Sequence, residues 1–210
     1  MSTPTNVYED ATRLSHLDRA LAALEGWLTV LAGLAVLSLM ALAVVQVGGR
    51  NFFGRPLPGY VDWIEQVMPL IAFLGLAFTQ RAGGHIRMDI VVGRFSGRAL
   101  WAAEWLTTLV TLIVILLLIW GSWSHFARSF DWNAPLFSRD SSMDIGLPVW
   151  PAKLIVPAAL AVLGARLAIQ LWGFGRAFAR GEPRPVAVPL IESAAEVAAS
   201  EAAAIEGRAR

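Results

Sequence analysis

The sequence predicts an all-α integral membrane protein of four transmembrane helices. Three observations carry that reading. Of 210 residues, 56% are apolar and only 16% charged, against about 25% charged in an ordinary soluble domain. Mean hydropathy is +0.57. The apolar residues also gather into four runs long enough, or nearly so, to cross a bilayer.

The first run, Gly26 to Gly49, has 24 residues without a charge, and the span is placed at about residues 24–48. Twenty residues already cross a hydrocarbon core of about 30 Å. The third run, Trp105 to Ala127, is 23 residues long and defines span 105–127. Its centre carries eleven Leu, Ile or Val side chains, each favourable in lipid. The second run, Gln66 to Gln80, has only 15 uncharged residues. Starting it at Val61 gives span 61–80 and puts Asp62 and Glu65 in the first turn, where the helix dipole favours carboxylates. The fourth span, 147–172, contains Lys153 and Arg166 with twelve uncharged residues between them. Both cations can snorkel from there to the interfaces, or Arg166 can pair with an acidic group.

The nine tryptophans sit near the ends of these spans or in the connections, as an interfacial aromatic belt requires. With four spans, the N-terminal segment, the middle loop and the C-terminal flank share one side and hold ten Arg residues. The opposite loops hold five Arg or Lys residues, so the positive-inside bias predicts both termini in the cytoplasm. Three regions follow: a cytoplasmic or interfacial segment 1–23, a transmembrane domain 24–175, and a cytoplasmic Pro/Ala/Glu-rich tail 176–210. In the first region Leu14, Leu17, Leu21 and Leu24 recur every three or four residues, which predicts an amphipathic helix lying at the interface. The N-terminus lacks the features of a cleaved signal, so the first span is expected to remain as an anchor.

Chemistry is sparse. There is no cysteine, which excludes disulfides, cysteine zinc sites and thiol catalysis. No basic surplus marks a nucleic-acid binder. His16, His85 and His125 fall in separate segments, a poor basis for haem ligation, and no catalytic motif occurs. The reading is therefore not an enzyme, with no cofactor or metal bound by the chain. Small residues form stripes suited to close helix approach: Gly26 and Gly33; Ala72, Gly75 and Thr79; and Ala158, Ala161, Ala165 and Ala168. Pro69 and Pro157 each remove a backbone donor within a span.

Residues 44–95 carry an ordered set of motifs: Arg50, Phe52-Phe53, Pro56-Leu57-Pro58, Asp62, Phe73-Leu74-Gly75, and then Arg81 through Asp89. A further G-L-P-x-W runs from Gly146 to Trp150. Together they resemble the DctQ-type small membrane subunit of tripartite ATP-independent periplasmic (TRAP) transporters. After P-L-P that family commonly has Trp and paired glutamates, where this chain has Gly59, Tyr60, Val61 and Asp62.

The resemblance implies a small permease subunit in the bacterial inner membrane. It would work with a large membrane subunit that imports an organic anion, commonly a carboxylate, with sodium coupling placed in that large subunit. A periplasmic solute-binding protein would deliver the anion. The small subunit would scaffold and stabilise the large one and bind no substrate itself. Its expected interface or positioning residues are Arg50, Asp62, Glu65, Arg81, His85, Asp89 and Arg166. Arg50 and Asp62 are expected close enough to pair with each other or with the large subunit. The alternative is a membrane anchor, with or without haem, of some other multi-subunit complex.

Overall fold

A computed structural model describes residues 13–83, 98–181 and Val188. Its elements are helices α1 (Arg13–Phe53), α2 (Tyr60–Phe73), α3 (Leu76–Arg81), α4 (Arg98–Ser129) and α5 (Trp150–Arg180), with a short 3₁₀ turn at Pro135–Phe137. Among the described residues there are no strands, only isolated bridges Phe130–Ser138 and Ser141–Pro148. Four helices are long and apolar enough to span a membrane, α2 and α3 counting together as Tyr60–Arg81.

The centre of the bundle is α5. It packs along α4 on one side and receives α1, α2 and α3 on the other. Ile115 of α4, Ala77 of α3, and Leu160, Leu163 and Leu167 of α5 form the apolar core. Gly164 of α5 faces Ile115 and Ile119 of α4, where a Cβ would lie 3.7 Å from Ile119, an ordinary packing distance. The second span breaks at Leu74 and Gly75, one turn after Pro69. Pro69 has no N–H to donate to Glu65, which weakens the turn before the break, and Gly75 at the break itself stabilises the helix little. The backbone recovers through the Thr79 amide donating to Gly75 O at 3.0 Å.

Three expectations change. The N-terminal segment is not a separate interfacial helix: α1 runs unbroken for 41 residues, about 60 Å at 1.5 Å per residue. Its leucines also do not share one face: Leu17 and Leu24 are exposed, Leu21 is half-buried, and Leu14 is buried along with Ser15, Asp18 and Glu25. Hydropathy finds lipid-soluble stretches, but a helix continues past them wherever its polar turns find partners. The same holds at the ends of α4 and α5 on that side. Finally, Ala158, Ala161, Ala165 and Ala168 are exposed. Within this chain α5 instead buries Leu160, Leu163, Arg166, Leu167, Gln170 and Phe174.

Candidate functional site: a buried ion cluster and a capped loop

Two constructions tie the bundle together, one toward each end. The first is a cluster of charge between α1, α3 and α5. Arg166 has no exposed side-chain surface. Its Nε and Nη2 donate to the two carboxylate oxygens of Glu25 at 2.7 and 2.8 Å, and its Nη1 donates to Asp18. Arg81 approaches the other oxygen of Asp18 at 3.7 Å. Two cations thus face two carboxylates, and the group is neutral as a whole. Beside it the Gln80 amide donates to Gln170 Oε1 at 2.8 Å.

Planar guanidinium geometry explains why arginine stands here. It offers five donors in a fixed fork, so one side chain can serve both oxygens of one carboxylate and one of another. In a region shielded from water such pairing is required, because a lone buried charge costs several kcal/mol. Asp18 Oδ2 and Arg81 Nε are left without a hydrogen-bond partner among the described residues. The snorkelling reading of Arg166 is therefore corrected: its acidic partners come from α1 of its own chain. Sequence reasoning passed over Asp18 and Glu25. The signal was their spacing of seven, which puts both on one helical face.

The second construction caps α2. The α1–α2 turn closes when the Arg55 amide donates to Gly49 O at 3.1 Å and the Leu57 amide donates to Gln46 Oε1 at 2.5 Å. Gly59 then takes φ +68, and a Cβ there would strike Ile145 at 2.5 Å, so only glycine fits. Three residues on, Asp62 points into the 130–149 loop and is 2% exposed. Its Oδ2 accepts from Ser142 Oγ at 2.6 Å and from the amides of Asp144 and Ile145 at 3.1 and 2.8 Å. Gln66 adds a bond to Pro148 O at 2.8 Å. Asp62 thereby serves the dipole of its own helix and the orphan donors of a loop some eighty residues away.

The same loop is fixed to α4 and α5 by a second carboxylate. Asp140 accepts from Lys153 Nζ at 2.8 Å and from Ser129 Oγ at 2.5 Å. Those bonds, with the charge of Lys153, hold the Asp140 carboxyl below the usual carboxylate range. Asp131 is lowered too, first by the Asn133 amide and then by Arg139. Phe130, Trp132 and Phe137 of the loop make a chain of ring contacts with Phe126 of α4 and Trp150 of α5.

A family described as tripartite ATP-independent periplasmic transporters, DctQ component, matches residues 39–176. The chain belongs to this family. As a DctQ component it is the small permease component of a TRAP transporter and a multi-pass protein of the inner membrane. No curated protein matches the chain.

The expected site residues of this DctQ component separate into three groups. Asp62, Arg81 and Arg166 are joined to other elements of the bundle as described. Arg50 and Glu65 are exposed, and no ion pair joins Arg50 to Asp62, whose acceptor is taken by the loop. His85 and Asp89 lie outside the described residues. Among the described residues no group of three His, Cys, Asp or Glu side chains is placed to hold a metal. The matched region includes Arg166 but not Asp18 or Glu25, so family membership alone would not lead to the cluster.

Proposed function

We propose that this subunit is a static scaffold: it holds and stabilises the large membrane subunit of a sodium-coupled TRAP importer of an organic anion, and it binds neither anion nor sodium. The observation that supports this is the closed ion cluster. The buried charges of Asp18, Glu25 and Arg166, with Arg81 beside Asp18, are turned toward each other and join three helices, whereas a transported ion needs charged groups presented to a pathway. A subunit that serves as the fixed reference for a moving partner benefits from such internal bracing.

In this reading Arg50 and Glu65 contact the large subunit. Asp62, Arg81 and Arg166 position the helices that do so, and His85 and Asp89 act at the other end of the second span. The solute-binding protein docks on the assembled pair, with both termini of this chain in the cytoplasm. Affinity purification of the tagged chain from its native membrane in mild detergent tests the reading. A large permease subunit in stoichiometric amount is expected, and reconstituted uptake should require a sodium gradient. Asp62→Ala and Asp89→Ala should lower recovery of the large subunit, or uptake, while the chain still inserts. Recovery of the chain alone, or both variants assembling and transporting at the wild-type level, would refute it.

A further inference from the structure

Beyond this scaffolding role, we propose that the groove between the start of α4 and the end of α5 is a binding site for an anionic phospholipid. The groove is open, with a volume of about 550 Å³. Its floor is Ala168, Leu171 and Gly175, its walls are Trp105 and Trp172, and its rim holds Arg176 and Arg180. Character changes along its length in the order of a lipid molecule: apolar floor, indole walls, cationic end.

Two details shape it. Gly175 lies against the Trp105 indole, and a Cβ there would sit 3.4 Å from Nε1, so the ring can lie close on the α5 backbone. Ala168 is also the last of the exposed residues Ala158, Ala161, Ala165 and Ala168, which carry the shallow floor farther up the span, about 15 Å at helical rise. That is enough for a length of acyl chain to lie against small side chains.

The rim decides the headgroup. Arg98, at the start of α4, reaches across the end of α5 to within 3.5 Å of where a Gly181 Cβ would stand. Arg98 therefore stands beside the same end of α5 that carries Arg176 and Arg180. Buried Glu104 is the acidic residue among the described residues of these terminal turns, which leaves a positive surplus. Arg176 and Arg180 already interact within the chain. A guanidinium has five donors in a planar fork, so a phosphate can join the partners that a rim arginine already has. A zwitterionic lipid would bring its own cation to this rim; an anionic one would not.

Photo-crosslinking tests the site. The full chain, with its accompanying subunits, is reconstituted in phosphatidylcholine vesicles doped with phosphatidylglycerol or phosphatidylcholine that carries a photoactivatable group on one acyl chain. The phosphatidylglycerol probe is expected to label peptides containing Trp105 or Trp172 more strongly than the phosphatidylcholine probe. Arg180→Gln should reduce that labelling about fivefold, the effect of one basic side chain near a membrane surface. Ala168→Trp, which fills the floor and leaves every charge in place, should remove it. Equal labelling by the two probes, or undiminished labelling in either variant, overturns the proposal. Labelling that arises only after the other subunits are stripped away assigns the groove to a partner helix and overturns it as well.

Discussion

The two ends of this bundle are fastened by opposite means. Around Arg166, charge meets charge between side chains of three helices, with no exposed surface on Arg166, Asp18 or Glu25. Around Asp62, one carboxylate gathers a hydroxyl and two backbone amides from a loop whose neighbours Met143 and Ile145 reach solvent. The comparison shows what each environment demands. Where water is excluded, every charge needs a counter-charge, and loss of one member leaves another stranded. Where water is near, one acceptor suffices to order a loop, and its loss is partly repaired by solvent.

The largest effect is therefore expected at Arg166. Arg166→Ala strands Glu25, leaves Asp18 only the more distant Arg81, and should destabilise the bundle by about 3–5 kcal/mol, the usual range for breaking a buried pair from one side. Arg166→Lys should recover only part of this, because an ammonium cannot serve both Glu25 oxygens in the plane of the carboxylate. The sharper test removes the charges together. A quadruple variant, Asp18→Leu, Glu25→Met, Arg81→Met and Arg166→Met, should be far more stable than Arg166→Ala, since apolar residues of similar volume often replace a buried ion group at little cost. Denaturant or thermal unfolding of the purified chain, followed by helical circular dichroism, orders the three. If Arg166→Ala unfolds like wild type, the cluster does not hold the helices.

Legibility in the sequence divides along the same line. The four spans could be read because hydropathy is a local sum, and runs such as Trp105–Ala127 need no knowledge of their neighbours. Helix ends could not: residues 13–24 of α1 are helical because Asp18 and Glu25 meet Arg166, more than 140 positions later. Leucine spacing did not mark the buried face of that helix, since Leu14 is buried while Leu17 and Leu24 are exposed. In water the apolar side would turn inward, whereas in lipid the polar side does. Asp62 was legible as a helix-start carboxylate but not as the anchor of residues 142–145, because its donors are backbone amides and any sequence has those. The Ala158–Ala168 stripe was legible as a row of small residues but not as an exposed one, because no spacing rule says whether a helix of the same chain will cover it.

At the capped end the expected loss is smaller. Asp62→Ala leaves the Ser142 hydroxyl and the amides of Asp144 and Ile145 without their acceptor, at about 1–3 kcal/mol for buried groups left unpaired. The damage should stay local. Hydrogen exchange at residues 142–145 should accelerate while α4 and α5 keep their protection. Asp62→Asn retains an acceptor oxygen and should fall between, because it loses only the charge-assisted part of the bonds. If exchange accelerates equally along α5, the two fastenings are one cooperative unit and the contrast between them fails.

The smallest effect, and the one that responds to pH, belongs to Asp140. Its native pKa is depressed, first by the hydrogen bond from Lys153, so the unfolded loop binds a proton more readily than the folded one. The stabilisation is therefore fully present above the ordinary carboxylate value of about 3.9 and fades as pH falls through the lower native value. Asp131 shifts in the same direction and adds to the trend. Because the Asp140 side chain is half exposed, solvent screens the Lys153 pair, and the gain is small at neutral pH. Proteolysis within 130–149 should be slow and flat from neutral pH down to about 5, then rise as the solution becomes more acidic. Asp140→Asn should cleave faster at neutral pH and show a weaker rise in acid, the remainder coming from Asp131. A wild-type profile that stays flat through pH 3, or an unchanged profile in Asp140→Asn, would mean that the aromatic contacts of the loop hold it in place unaided.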